Sequence, residues 1–212
     1  MKRNVDLNEI TDGRFYGIND MVKAGCNNCE GCSKCCHGMG NSVVLDPYDI
    51  YRLTTGLNMT FSELMKDKIS LGMVDGIIMP SLLTNKDNDA CVFLNGQGRC
   101  SVYNERPSVC RIFPLGRYYE NGTFRYILQV NECVKKDHTK VKVKEWIAAG
   151  DIKENEKFLN DWHYFVSGLE AGNKDVIMKV LNIFYTAPYD LNRGFYEQYY
   201  ERKEQFLCCA KT

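Results

Sequence analysis

Cysteines crowd one short stretch near the start of this chain. Five thiols fall within eleven residues, at Cys26, Cys29, Cys32, Cys35 and Cys36. Four more follow at Cys91, Cys100, Cys110 and Cys133. Core packing alone does not account for this density, whereas thiolates are common ligands of zinc and of iron–sulfur clusters. The first two thirds of the chain therefore contain enough thiols for two four-ligand metal sites.

Charge and hydropathy indicate the compartment and exclude some partners. Residues 1–10 mix acids and amides where a secretory signal needs an apolar stretch, and no apolar run approaches membrane-spanning length. We therefore expect a cytoplasmic protein without a membrane partner, whose thiols bind metal rather than form disulfides. The odd total of 11 cysteines agrees. The 27 basic and 27 acidic residues balance, so we expect no nucleic-acid partner.

The distribution of apolar and turn-forming residues predicts an α+β fold. Residues 1–135 are expected to form an irregular cysteine-rich metal-binding region with short strands and helices. Residues 136–212 have apolar side chains at helical spacing and are predicted to form three or four helices that pack on this region as one compact unit. Pro188 is expected to separate the last two helices.

Two capping patterns predict helices in the cysteine-rich region. Asp46 followed by proline predicts a helix over Pro47–Leu53, with the aspartate as N-cap. Thr60 followed three residues later by Glu63 is a capping box and predicts the start of a second helix.

Two turn signals predict strands in the same region. Cys91–Leu94 is predicted to be a strand, and the glycine-containing turn after it is expected to bring Cys100 back toward Cys91. Asn121 and Gly122 lie between two aromatic segments and predict a β-hairpin.

The cysteine run can be read in two registers. Cys26, Cys29, Cys32 and Cys36 have the spacing of ferredoxin iron–sulfur ligands, although the proline and the second copy typical of ferredoxins are absent. A second register uses Cys29, Cys32, Cys35 and Cys36 and leaves Cys26 over. Neighbouring residues rarely point at one metal, so Cys35 and Cys36 are expected to bind different centres or different atoms of one cluster.

Several cysteine motifs between Cys29 and Cys133 occur in a recognisable order. They are Cys29-x2-Cys32-x2-Cys35-Cys36, Cys91-Val92-Phe93-Leu94, Cys100-Ser101-Val102-Tyr103 and Arg106-Pro107-Ser108-Val109-Cys110-Arg111-Ile112-Phe113-Pro114. In this order they resemble the CxxCxxCC cysteine-cluster family, whose members are described as zinc- or iron-chelating. The flagellin lysine-N-methylase is a distant relative in this group, but that resemblance concerns the cysteine domain and implies no substrate for this chain.

The resemblance implies a ligand set. Its eight members are Cys29, Cys32, Cys35, Cys36, Cys91, Cys100, Cys110 and Cys133. Cys26 exceeds the family's pattern and is nominated by the ferredoxin-like register. Arg106 and Arg111 flank Cys110 and are candidates for offsetting the charge of a thiolate-bound cofactor.

The dispersed partner cysteines favour iron–sulfur over zinc. Structural zinc sites usually pair two short cysteine knuckles, whereas in this chain several loops supply single thiols, and eight thiolates would hold two 4Fe-4S clusters. This predicts an iron–sulfur protein with a redox or methyl-transfer role, whose helical region covers the clusters or binds a protein partner or substrate. A zinc-stabilised protein-binding module and a metal storage or delivery protein are the alternatives. The sequence leaves enzymatic activity and oligomeric state open.

The remaining histidines and cysteines receive no firm role from the sequence. His37 directly follows the cysteine run and is an alternative ligand candidate, although we expect it to be exposed or near the metal without binding it. His138 and His163 are single histidines to which we assign no chemistry. Cys208 and Cys209 are interpreted as a frayed C-terminal tail.

Overall fold

The computed structural model describes residues 6–26 and 32–208. Its strands are β1 (Thr11–Tyr16), β2 (Met21–Gly25), β3 (Ile69–Val74), β4 (Ile77–Leu82), β5 (Leu115–Glu120), β6 (Thr123–Gln129) and β7 (Thr139–Lys142). Its helices are α1 (Leu7–Ile10), α2 (Pro47–Leu57), α3 (Phe61–Asp67), α4 (Ser108–Ile112), α5 (Val143–Ile147), α6 (Ile152–Ser167), α7 (Lys174–Val180) and α8 (Phe195–Cys208). A 3₁₀ turn spans Lys34–Cys36, and a π-helical turn spans Leu181–Thr186. The predicted α+β class is confirmed.

The strands form small antiparallel sheets. β1, β6 and β5 make one sheet in that order, β2 pairs with β7, and β3 pairs with β4. Two of these pairings join distant parts of the chain, since β1 meets β6 and β2 meets β7. The β2–β7 pair ends with Gly25 opposite Thr139, which places the start of the cysteine run beside the segment before β7.

The hairpin predicted at Asn121 and Gly122 is confirmed as β5 and β6. Both turn residues have positive φ, 52° and 78°, as a two-residue hairpin turn with the right twist requires. Glu120 pairs with Thr123 across the turn.

Both predicted capping motifs are confirmed. The Asp46 side chain accepts a hydrogen bond from the Asp49 N–H at the start of α2, and the Asp49 side chain accepts one from the Asp46 N–H. Thr60 and Glu63 make the equivalent pair of contacts at the start of α3. α2 extends past its predicted end at Leu53 and stops at Leu57. The next residue, Asn58, has the left-handed conformation that commonly ends helices.

The strand predicted over Cys91–Leu94 is wrong. The segment is a turn, in which the Leu94 N–H donates to the Cys91 carbonyl at 2.9 Å, and only single bridges connect it to its neighbours. The reversal toward Cys100 is nevertheless present, since Leu94 and Cys100 form an antiparallel bridge. Short-range hydrogen bonds within the turn replace the ladder that the apolar pattern suggested.

The helical prediction for the C-terminal part holds from α5 onward. Before it, β7 occupies Thr139–Lys142 and pairs with β2, a long-range partner that local periodicity does not reveal. The last two helical segments are separated as expected, because the π-helical turn ends before Pro188 and α8 begins after it. None of the helices in the described ranges is long and apolar enough to cross a membrane.

One hydrophobic core joins the cysteine-rich region to the C-terminal helices. Its fully buried members from both parts include Leu45, Ile50, Leu53, Leu64, Phe158, Phe184 and Tyr199. The Tyr185 hydroxyl donates to the Leu45 carbonyl at 3.1 Å, which fixes the π-helical turn against the segment before α2. The helices therefore support the part of the chain that carries the later cysteines.

A buried polar network attaches α4 to the start of α2. The Ser108 N–H donates to Asp49 Oδ1 at 2.7 Å, and its hydroxyl lies 3.2 Å from Asp46 Oδ2 and 3.4 Å from Asp49 Oδ2. Burial raises the pKa of both carboxyls, and the charge of Asp46 raises the pKa of Asp49 further. Arg117 opposes both shifts. This network fixes the helix that carries Cys110.

The raised carboxyl pKa values predict how stability depends on pH. A raised native pKa means that the folded chain holds the proton more tightly than the unfolded chain. Asp46 therefore contributes most stability below its unfolded pKa of about 4, and this contribution falls as pH rises through the native pKa. Asp46→Asn keeps the cap and removes the charge, so the variant should gain stability relative to wild type as pH rises. Urea unfolding at several pH values measures this.

Asp46→Ala is the matched control. It removes the charge and the cap together and should cost about 1 kcal/mol of stability relative to Asp46→Asn. A constant difference between wild type and Asp46→Asn across pH would contradict the raised pKa.

Candidate metal centre

Five thiols gather where three segments of the chain meet. Cys35 and Cys36 lie on the 3₁₀ turn, Cys91 and Cys100 lie in the loop between β4 and α4, and Cys110 lies on α4. We call Cys36, Cys91, Cys100 and Cys110 the first thiol group, and Cys35 lies beside it. Burial raises the pKa of Cys91, Cys100 and Cys110, a hydrogen bond to Cys35 raises that of Cys36, and the charges of neighbouring cysteines add to each rise.

Backbone hydrogen bonds hold these segments together. The Cys91 N–H donates to the Cys36 carbonyl at 2.7 Å, and the Gly38 N–H donates to the Asp89 carbonyl at 3.0 Å. The 3₁₀ turn and the loop are thus joined next to the thiols themselves. The position of two ligand candidates is therefore set by main-chain contacts before any metal binds.

Main-chain N–H groups also point at the sulfur atoms. Burial raises the pKa of Cys91, while hydrogen bonds from the main chain of Phe93 and Leu94 oppose the rise. Burial also raises the pKa of Cys100 and of Cys133. A main-chain hydrogen bond from Val102 opposes the rise at Cys100, and one from Lys135 opposes it at Cys133. A donor to sulfur favours the thiolate, which is the form that binds metal.

The pKa values of the clustered thiols disfavour the loss of all their protons together. Cys35 and Cys36 share a hydrogen bond, which lowers the pKa of Cys35 to about 7 and raises that of Cys36. Burial raises the pKa of Cys110, with further contributions from the charges of Cys91 and Asp49. Several thiolates so close together need a cation among them. The chemistry of the donor set therefore fits a thiolate-bound metal.

A second set of thiols lines a neighbouring pocket. Cys26 follows β2, Cys32 precedes the 3₁₀ turn, and Cys133 lies between β6 and β7. We call these three the second thiol group. Burial raises the pKa of Cys133, and the charges of Cys26, Cys32 and Cys35 add to the rise. The pocket walls also include Phe113, Pro114, Lys34 and Lys135.

Cys35 lies between the two thiol groups. It lines the pocket of the second group, whereas Cys36 does not, and it interacts electrostatically with the first group. That the adjacent cysteines serve different centres stays a prediction, since Cys35 and Cys36 also share a hydrogen bond. Cys35 is also the exposed member of the ligand candidates in the described residues.

Part of the predicted ligand set stays a prediction. Cys29 lies outside the described residues, as does Cys209, and Cys208 is exposed at the end of α8. Within residues 6–26 and 32–208, no three His, Cys, Asp or Glu side chains are arranged to hold one metal ion. The structure thus brings the thiols into two neighbouring groups without closing either group around a common point.

The two arginines predicted to assist the cofactor occupy different environments. Arg106 stacks on the Tyr103 ring, 3.7 Å from its centroid, and its charge opposes the rise that burial causes in the pKa of Cys100. Arg111 instead donates to the carbonyls of Asn104 and Arg106, at 3.1 and 3.2 Å. Arg106 acts on the thiols directly, and Arg111 holds the loop that carries Arg106.

One residue near the thiols received no role from the sequence. His138 Nε2 lies 3.4 Å from Cys133 Sγ. The sequence signal for this contact is that His138 follows Cys133 closely in the chain, and such a spacing does not identify a metal ligand. The other histidines lie elsewhere: the ring of His163 stacks on Tyr119 at 3.6 Å, and His37 is exposed beside its backbone bridge to Ala90.

A comparison with protein families decides what kind of chain this is. The family designated CxxCxxCC and described as "Putative zinc- or iron-chelating domain" matches residues 28–145, more than half of the 212 residues. The chain belongs to the CxxCxxCC family. The match covers the cysteines from Cys29 to Cys133 and also His138, and it begins after Cys26. Comparisons with curated proteins and with solved structures found no significant match.

The position of Arg106 predicts its effect on metal binding. Arg106→Gln should weaken metal binding roughly tenfold, because the charge that stabilises the nearby thiolates is lost. Arg106→Lys keeps the charge but loses the contact of the guanidinium with the Tyr103 ring, so its affinity should lie between those of the wild type and Arg106→Gln. Competition with a chromogenic chelator measures the affinity. Equal affinities for wild type and Arg106→Gln would show that the arginine acts only on the loop.

Proposed function

We propose that this metal-chelating protein binds iron–sulfur clusters in its two thiol groups and uses them for electron transfer. The observation that carries the proposal is the pair of adjoining groups with Cys35 between them. Single thiols reach these groups from segments far apart in the chain, an arrangement that suits clusters enclosed by loops. When bound, such clusters supply one-electron chemistry.

The proposal assigns the cysteines to two centres. The first centre would be held by Cys36, Cys91, Cys100 and Cys110. The second would be held by thiols among Cys26, Cys29, Cys32, Cys35 and Cys133. The main-chain donors to sulfur and the charge of Arg106 would then tune the reduction potential, because both stabilise negative charge on the cluster.

The surface beside the second group supports an electron-transfer role. Cys35 is exposed, and the side chain of Val134, next to Cys133, is 53% exposed. A cluster at this position lies near the surface, where a redox partner can approach. The sequence also allows a methyl-transfer role for the same clusters, and we favour electron transfer because of this exposure.

We extend the proposal to the reducing cytoplasm, because a cysteine-dense chain in that compartment binds metal through its thiols rather than forming disulfides.

Zinc is the second candidate metal. It is favoured by the way the first thiol group joins the 3₁₀ turn, a long loop and α4, since structural zinc ions commonly link such segments. In that case the metal stabilises a protein-binding module and the helices face the partner. A storage or delivery protein would also use the exposed Cys35, and it would exchange its metal quickly.

Anaerobic purification of the full chain tests these alternatives. We expect iron and acid-labile sulfide in equal amounts, visible charge-transfer absorption, and bleaching by dithionite that reverses on reoxidation. A colourless protein with stoichiometric zinc would replace the iron–sulfur proposal with the zinc module. Clusters that cannot be reduced and reoxidised would leave iron–sulfur binding in place and remove the redox role.

Cysteine substitutions test the ligand assignment separately. Cys100→Ser should lower the metal content, by about half if the two centres hold equal amounts, because serine is a poor ligand for these metals. It should also lower the melting temperature, since metal binding adds to folding stability. Cys208→Ser is the matched control and should leave both unchanged. Elemental analysis and thermal unfolding supply the measurements, and full metal content in Cys100→Ser would remove Cys100 from the ligand set.

A further inference from the structure

The side chain of His138 lies at the second thiol group. Its Nε2 atom is 3.4 Å from Cys133 Sγ, and both side chains are half-buried. Two ligands of one tetrahedral zinc ion, with Zn–S of about 2.3 Å and Zn–N of about 2.0 Å, lie about 3.5 Å apart. The observed separation is close to the one expected of two donors to the same metal ion, and it is also a hydrogen-bond distance.

The β2–β7 pairing brings this histidine to the thiols. Gly25 lies opposite Thr139, so Cys26 and His138 are the next residues on either side of the paired ends. The approach depends on glycine, because a Cβ at position 25 would collide with the Thr139 hydroxyl and lie 3.1 Å from its carbonyl oxygen. The sheet thus places His138 across from Cys26, which lines the pocket together with Cys133.

Nitrogen and sulfur donors combine readily on both zinc and iron. Zinc is bound by three cysteines and one histidine in many structural sites, and histidine replaces cysteine on one iron in some iron–sulfur clusters, where it raises the potential. Among the described residues, the thiols available to the second group are Cys26, Cys32, Cys133 and the neighbouring Cys35. His138 lies beside them as a nitrogen donor.

We propose that His138 binds the metal of the second thiol group through Nε2, which makes this centre a mixed sulfur–nitrogen site and distinguishes it from the all-thiolate first group. Cys26 and Cys32 complete the set by turning toward the metal, because the described side chains do not surround a common point without it. The proposal rests on metal chelation by this region and holds for either iron or zinc.

X-ray absorption at the edge of the bound metal tests the proposal on the full chain. We expect histidine nitrogen in the coordination shell of the wild type and its loss in His138→Ala, with the metal content lowered by about half if the centres are equal. His138→Cys should restore the metal content with an all-sulfur shell. His163→Ala is the control, since that ring lies on α6 and stacks on Tyr119, and it should match the wild type.

The outcomes separate this proposal from the proposed function. If the wild type binds stoichiometric metal through sulfur ligands alone, His138 only hydrogen-bonds to Cys133. That result would overturn the assignment of His138 and leave metal chelation intact. Nitrogen that persists in His138→Ala would also overturn it. A wild type without bound metal would overturn the proposed function itself. If His138→Ala fails to fold, the shell of the wild type and of His138→Cys still decides the question.

Discussion

The grouping of thiols depends on one electrostatic constraint. Thiols that lie together and partly buried cannot all lose their protons, because each negative charge raises the pKa of its neighbours. In the first thiol group, a hydrogen bond to Cys35, burial and the charges of neighbouring cysteines raise the pKa of Cys36, and burial with neighbouring charges raises that of Cys110. A cation among the sulfur atoms removes the repulsion, so the metal and the local fold stabilise each other.

The scaffold holds the thiols in place through contacts that do not involve sulfur. The hydrogen bond from Cys91 to the Cys36 carbonyl joins two ligand-bearing segments, and the buried Asp46–Asp49–Ser108 network fixes the helix that carries Cys110. The second group relies on the β2–β7 pair and on the missing side chain at Gly25. Each group thus has its own support, which fits two centres with different ligands.

Local patterns predicted local structure well and long-range structure poorly. The capping boxes at Asp46 and Thr60 and the hairpin at Asn121 were predictable, because each depends on residues within one turn. The strand expected over Cys91–Leu94 was wrong, since its hydrogen bonds close a turn instead. β7 was not predicted, because its partner β2 lies more than a hundred residues earlier in the chain.

The sequence by itself determined that this chain belongs to a family described as zinc- or iron-chelating and which cysteines are candidate ligands, because thiolate chemistry depends on residue type and the order of the motifs is preserved in the linear chain. Tertiary structure alone decided how the thiols divide, placing Cys35 between two groups, and it alone brought His138 to Cys133. The reason is physical: which donors share a metal depends on distances in space, and those are set by sheet register and core packing between segments that no spacing rule connects.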